Sequence, residues 1–334
     1  MTLDQLLQQC LLFPGMDLWV PEGRVPFAKG LGRQELLSHL EPVGHGEILP
    51  LFRTQMDAKS RLNWENQGTC RFRIQGADGV IFRVDISRES LGALAVFRAV
   101  MSDLPNLDAL KVPPAVKGLL DHQNGLILFS GPGASGTTTL ASSFTQALCN
   151  MRSMRVRVLD PDPEWVIPSG KSLLVRGTPT GSLAEDIRAS LISGTDLFLF
   201  GDIGPAQMDP ILEACASGAL VVASVRASST THALERIETG NPLLHRVLRG
   251  IIGSHLIPSI AGDEALRAWD VLLASNQVIA AIEKGEIQKI PQIQKAASHA
   301  GMVNLDDSLA LLVNQKRISR DEARYRAHEP TAFE

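Results

Sequence analysis

The sequence predicts an α/β fold, a parallel sheet covered by helices, preceded by a smaller α+β unit. Two changes of pattern and one break carry that expectation. From Gly125 onward, short apolar runs alternate with helical stretches; before about residue 100 the chain shows an amphipathic helix and a hairpin. Between them lies a stretch punctuated by Pro105, Pro113, Pro114 and the turn pair Asn124-Gly125. The expected division is residues 1–102 for the α+β domain, 103–124 for a linker or hinge, and 125–334 for the sheet domain with its helical tail.

In the first part, Leu3, Leu6, Leu7 and Leu11 fall on one face of a short helix, and a second helix is expected over 34–40. Two alternating segments, Cys70-Arg-Phe-Arg-Ile74 and Val80-Ile-Phe-Arg-Val84, flank the turn Gly76-Ala-Asp-Gly79 and predict a hairpin. Residues 94–100 read as the last strand of this unit.

In the second part, residues 126–130, 156–160, 173–176, 196–201 and 220–225 are brief, β-rich and bounded by turn residues. Strands of that kind are buried on both faces, and the helical patterns between them supply the crossovers of a parallel sheet. Ser182-Leu-Ala-Glu185 is a capping box that opens one such helix, and Ser319-Arg-Asp-Glu322 opens the last. The chain from about Asn276 reads as helical throughout.

Composition narrows the function. Apolar residues make up 44% of the 334, charged residues 20%, and the net charge is −4, which fits a globular protein and argues against a dedicated nucleic-acid binder. No apolar run approaches the roughly 20 residues that span a bilayer, and no basic stretch precedes an apolar one at the N-terminus. Cys10, Cys70, Cys149 and Cys215 are isolated, so neither a zinc knuckle nor a redox pair is indicated, and a reducing cytoplasm is the expected compartment. The eight histidines show no ligand spacing, and Trp165 and Trp269 read as core or interface residues.

The segment Leu126-Ile-Leu-Phe-Ser-Gly131-Pro-Gly-Ala-Ser-Gly136-Thr-Thr-Thr-Leu140 is a strand, a glycine-rich turn and a helix start. Glycines let backbone N–H groups converge on an anion, and a helix N-terminus adds partial positive charge. The G-x-x-x-x-G frame is present, but the lysine that completes a phosphate loop is missing. Either Thr137 stands in its place or it has been deleted ahead of the usual hydroxyl run. Taken alone, the turn is equally readable as a small-residue link between strand and helix.

Order along the rest of the chain adds to that reading. Residues 131–141 resemble the G-P-T-G-S-G-K-T-T-T-L-A loop of the type II/type IV secretion ATPase superfamily, with one residue fewer. Asp160-Pro-Asp-Pro-Glu164-Trp-Val166 is similar to that family's E-D-P-I-E-F-V box, and Asp196-Leu-Phe-Leu-Phe-Gly201-Asp-Ile to its D-I-I-L-V-G-E-M motif. Ser217-Gly-Ala-Leu-Val-Val-Ala-Ser-Val-Arg226 resembles its histidine box. Phe82-Arg83-Val84, Ala95-Val-Phe-Arg98 and Ile318-Ser-Arg-Asp-Glu-Ala-Arg324 resemble elements of the pilus retraction ATPases. The resemblance implies a RecA-like P-loop domain behind a PAS-like α+β domain, with ATP and Mg²⁺ as cofactors.

Carried over residue by residue, it also implies a site and its losses. Gly131, Gly133, Ser135, Gly136, Thr137 and Thr138 would face the phosphates, Thr137 and Asp202 would meet Mg²⁺, and Asp160 would stand at the general base, with Leu159 there in an alternative alignment. Arg83 and Arg98 would reach the nucleotide across a boundary, or else are solvated strand arginines. Arg188 is retained, whereas Ile192 replaces its partner arginine. Ala219 and Arg226 occupy the two histidine positions; Arg226 either replaces part of the lysine charge or forms a surface ion pair. Aspartate is one methylene short as base, and cooperating groups are lost together. The implied protein binds nucleotide weakly or not at all, turns ATP over negligibly, and serves as a regulatory or structural subunit. It would form a homo-oligomeric ring or co-assemble with an intact pilus motor ATPase, against an inner-membrane platform protein, in the cytoplasm. The alternative is a slow retraction motor that uses Asp160, Asp202 and Arg226.

Overall fold

The computed structural model describes residues 2–334 except 14–15, 31–32, 78, 101–102, 162, 178–181, 239 and 262–263. Asp78 in the hairpin turn, Ser102 at the edge of the expected linker and Asp162 in the first acidic segment lie outside the described residues. The chain divides into two compact units, Met1–Ser102 and Asp103–Glu334.

In the first unit α1 (Leu3–Leu12) starts from Thr2, whose hydroxyl accepts from the Gln5 N–H while the Gln5 side chain accepts from Thr2, and the helix buries Leu6, Leu7 and Cys10. There follow β1 (Asp17–Pro21), β2 (Phe27–Gly30), β3 (Arg33–Leu36), α2 (Ile48–Leu51), α3 (Ala58–Gln67), β4 (Thr69–Gln75), β5 (Ile81–Glu89) and β6 (Gly92–Val100). The strands form one antiparallel sheet in the order β3-β2-β1-β6-β5-β4. Strict alternation sends Phe72, Ile74, Phe82, Val84 and Phe97 into the core and leaves Arg71, Arg83 and Asp85 on the other face. The helix expected over 34–40 is instead β3 and a turn. Good helix formers there pair with the edge of β2, Gln34 opposite Lys29 and Glu35 opposite Ala28, because cross-strand pairing outweighs a weak local propensity.

The second unit opens on the residues expected as a linker. They include α4 (Pro114–Gly118), started by Pro113 and Pro114, and they place Leu104, Leu107, Val112, Val116 and Leu120 in one core with Ile127, Phe129 and Phe144. Then come β7 (Gly125–Gly131), α5 (Thr137–Met151), β8 (Arg155–Leu159), β9 (Leu173–Arg176), α6 (Leu183–Ile192), β10 (Leu197–Asp202), α7 (Met208–Ala216), β11 (Leu220–Arg226), α8 (Thr230–Ile237), α9 (Leu244–Val247), β12 (Leu248–Pro258), β13 (Ala265–Leu273), α10 (Asn276–Glu283), α11 (Ile290–Ala296), α12 (Leu305–Asn314) and α13 (Arg320–Arg326). The sheet runs β13-β12-β7-β11-β10-β8-β9. Leu126 and Leu128 of β7 belong to one apolar core, Ile127 and Phe129 to the other, so helices cover both faces. The fold is thus α/β and mostly parallel, but β13 runs antiparallel to β12, so the sheet is mixed rather than wholly parallel.

One buried polar group ties this unit together. Asp270 of β13 is fully buried, and its carboxyl accepts from the Thr230 N–H at 2.8 Å, the Thr230 hydroxyl at 3.1 Å and the Gln294 amide at 2.7 Å. It thereby caps α8 and binds α11 to the sheet. His328, beyond α13, brings Nε2 to 3.8 Å of the same carboxyl.

Two expected outcomes follow from these burials. Desolvation pushes the Cys10 and Cys70 thiols up to about 11 and Cys215 up to about 12, and all four cysteines are buried. A thiol reagent at neutral pH should therefore modify the native chain negligibly and the denatured chain at all four sites; fast native labelling would contradict the burial. The Asp270 carboxyl 3.8 Å away, with Asp306 and Glu329 nearby, holds the His328 pKa above the usual value although burial opposes it. A raised folded pKa gives stability that is complete below the ordinary histidine value of about 6.5 and disappears as pH rises through the folded value. His328→Ala should lower Tm in mildly acidic buffer and have a smaller effect at about pH 9.

Candidate functional site

The carboxyl ends of β7, β8, β10 and β11 lie along one rim of the sheet. In register, Gly131 stands opposite Arg226, Asp202 opposite Ser224, and Phe200 opposite Leu159. The glycine loop, both acidic segments and the altered histidine box therefore meet at that rim, where open parallel sheets bind ligands.

The loop's shape comes from close packing. A Cβ on Gly131 would lie 2.2 Å from Ser135 Oγ and 2.6 Å from the Ser254 carbonyl. Ser135 is buried and shares a 2.7 Å hydrogen bond with Thr137 Oγ1. Ala134 and Gly136 have φ of 62° and 77°, which bends the chain into α5. That conformation costs a non-glycine residue about 1–2 kcal/mol. Gly133 is exposed, and a side chain there would meet open space. α5 begins at Thr137 with Gly136 as its N-cap and no side-chain cap, so side chains leave the first-turn N–H groups unsatisfied. Thr138 is its second residue. Such a set of donors, at the positive end of a 15-residue helix, suits an anion.

Around the loop, Leu159 is buried in the core at the end of β8, and Asp160 follows it half-buried. A Cβ on Gly201 would lie 2.8 Å from Asp160 Oδ1, so the carboxyl packs on the bare glycine of β10. Trp165 donates from Nε1 to Thr139 Oγ1 at 3.1 Å and so docks the first acidic segment on the first turn of α5; its sequence signal was read only as packing. Asp202 is engaged on both oxygens: Arg226 Nε lies 3.0 Å from Oδ2 and the Arg226 N–H donates to Oδ1 at 3.1 Å. Of the two roles held open for Arg226, the ion pair is the one the structure contains. Its side chains are 73% and 41% exposed, which limits the pair to about 0–1 kcal/mol.

Other residues singled out in the sequence belong to other elements. Arg188 is on an exposed face of α6 beside Glu185. Arg83 and Arg98 belong to the first unit, where Arg83 Nε is 3.1 Å from Asp85 and Arg98 Nε is 2.5 Å from Asp17. Ala219 is buried at the foot of β11. The two groups expected on Mg²⁺, Thr137 and Asp202, each hold a protein partner, so the phosphate part of the implied ligand fits the loop better than the metal part fits its ligands. Sequence reasoning missed Arg267 and Ser254, which reach the loop from β13 and β12: Ser254 Oγ and Arg267 Nη1 both donate to the Ser135 carbonyl, at 3.1 and 3.0 Å.

This architecture has known counterparts. The crystal structure of the pilus retraction motor PilT with bound ADP superimposes with a TM-score of 0.82 at 21% identity, covering 99% of this chain and 98% of that one. In sequence, the chain is similar to the type IV pilus retraction ATPase PilT of Pseudomonas aeruginosa, 24% identical with all of both chains covered. It is also 24% identical to the type IV pilus ATPase PilU of the same organism, over 97% of this chain and 88% of that protein. Residues 62–295 match the pattern of the type II/IV secretion system proteins, and the chain belongs to that family.

Proposed function

We propose that the chain is a degenerate paralogue of the type IV pilus retraction motors, with little or no ATP turnover, acting as a regulatory or structural subunit of a pilus or type II secretion-like machine. The observation that carries this reading is the Asp202–Arg226 pair at the mouth of a loop without lysine. In a working site the acid would stand behind Mg²⁺ and the lysine would neutralise phosphate oxygens. Here the acid is neutralised by a neighbouring strand, and removing one preorganised charge of the lysine's kind costs about 10²–10³ in rate.

The nucleotide, as the similarity to an ADP-bound motor suggests, would rest its phosphates on the N–H groups of the 131–136 loop and of Thr137 and Thr138. When bound with Mg²⁺ it supplies the transferable phosphoryl group; this chain's own contribution is to hold that group and to present Asp160 and Asp202. Ring assembly, alone or with an intact motor, is part of the proposal, as is work in the cytoplasm against an inner-membrane platform. Among the described residues no helix is long and apolar enough to cross a membrane. The second reading, a slow retraction motor, has one observation in its favour: Asp160 and Asp202 both remain on the rim beside the loop.

Phosphate release from MgATP by the purified chain should be at least about 100-fold slower than that of an intact pilus retraction ATPase; brisk hydrolysis would establish the motor reading instead. A lysine inserted between Gly136 and Thr137 should raise ATP affinity in titration calorimetry without restoring turnover, because two short acids remain. Mixed with an intact paralogue, the chain should co-elute in a ring-sized complex. A strict monomer that ignores the paralogue would remove the subunit role.

A further inference from the structure

Arg267 lies on β13, two strands from β7, yet its guanidinium reaches the loop that follows β7. Nη1 donates to the Ser135 carbonyl at 3.0 Å and also to Ser254 Oγ, which itself donates to that carbonyl at 3.1 Å. One peptide oxygen in the loop thus receives two bonds from outside it. A trans peptide points its C=O and N–H in opposite directions, and no described residue has a cis bond. Holding the Ser135 oxygen toward β12 and β13 therefore turns the Gly136 N–H the other way, away from the arginine and toward the side left for a ligand.

The fit is close, and among the described residues no carboxylate compensates the charge. A Cβ on Gly136 would lie 2.9 Å from Nη2, so the guanidinium packs against the bare Cα of the loop's second glycine. Its central carbon lies 5.4 Å from the centre of the Trp269 ring. Burial lowers its pKa to about 10, with no acid contributing, and among the described residues no carboxylate pairs with it. A partly buried cation without a counter-charge is costly unless an anion completes it. Arg226, a cation on the rim itself, is already paired with Asp202.

We propose that Arg267 is the positioning cation of the phosphate loop. From behind the loop it holds the Ser135–Gly136 peptide that gathers the N–H groups, and it supplies positive charge that the missing lysine would have supplied from in front. The ligand class is a phosphate-bearing anion of the nucleoside diphosphate or triphosphate type. This inference rests on the nucleotide reading of the site given above.

The test uses the full chain with Arg267→Met, which keeps the length of the stem, and Arg267→Lys, which keeps charge. Calorimetric titration with MgADP and with inorganic pyrophosphate, each at low and high salt, is paired with hydrogen exchange of the 133–138 amides. Arg267→Met should bind both probes about tenfold more weakly, lose part of the salt dependence and exchange faster at Gly136, with Arg267→Lys between it and the wild type. A change in affinity and salt slope with no change in Tm separates this role from a general loss of structure. Unchanged affinity in Arg267→Met overturns the proposal, and unchanged exchange at Gly136 overturns the positioning role by itself. A wild-type chain that binds neither probe overturns the nucleotide reading, and the ligand class named here with it. If Arg267→Met fails to fold, Ser254→Ala removes the second bond to the same carbonyl; a smaller loss of affinity with faster loop exchange is expected, and wild-type behaviour in both overturns the clamp.

Discussion

The loop after β7 closes against β12 because residue 131 carries no side chain, and most of the site's geometry depends on that closeness. With Gly131 bare, Ser135 packs beneath it and the Ser254 carbonyl approaches within 2.6 Å of where a Cβ would be. Only then can Ser254 and Arg267 reach the Ser135 oxygen, and only then does α5 start with its first turn facing the rim. An alanine at 131 would have to push β12 back or expel Ser135, and both lie in close-packed surroundings where small volume changes are felt.

The loop therefore keeps its form without the residue that usually gives it charge. The carboxyl ends of four parallel strands still bring Asp160, Asp202 and Arg226 to one rim, because apolar runs such as Leu126 to Phe129 and Leu220 to Ala223 fix the sheet independently of what stands at its ends. Chemistry can be lost at such an edge while the scaffold stays intact, since a handful of polar groups contribute little to the core. Membership of the family and the state of the active groups are separate properties of this chain.

The same separation explains what was legible in the sequence. β7, β8, β10 and β11 are short, apolar and bounded by turn residues, and the glycine frame marked the loop between β7 and α5. β12 and β13 were not legible: Gly250, Gly253, Ser254 and His255 interrupt the apolar run of one, and Arg267 and Asp270 that of the other. Both polar positions of β13 make sense only beside residues distant in sequence, Ser135 for Arg267 and Thr230 for Asp270. α3 escaped notice because only Ser60 is buried along it, so it has almost no apolar stripe to read. The Asp202–Arg226 pair was half legible, as one of two roles for Arg226, because register between neighbouring strands appears only once the sheet is assembled.

The strand order has a kinetic consequence. β7 lies between β11 and β12, and the bonds that set its loop join residues 119 and 132 positions apart, Ser135 to Ser254 and Ser135 to Arg267. Closing spans of that length must precede any reward from the contacts they make, which slows parallel sheets relative to folds built from neighbours. β8, β10 and the helix between them can assemble from nearby sequence, whereas the glycine loop reaches its final shape only after β12 and β13 have arrived. The loop should thus take its shape late in folding, and a partly folded chain should present an organised sheet edge before it presents a loop able to hold an anion.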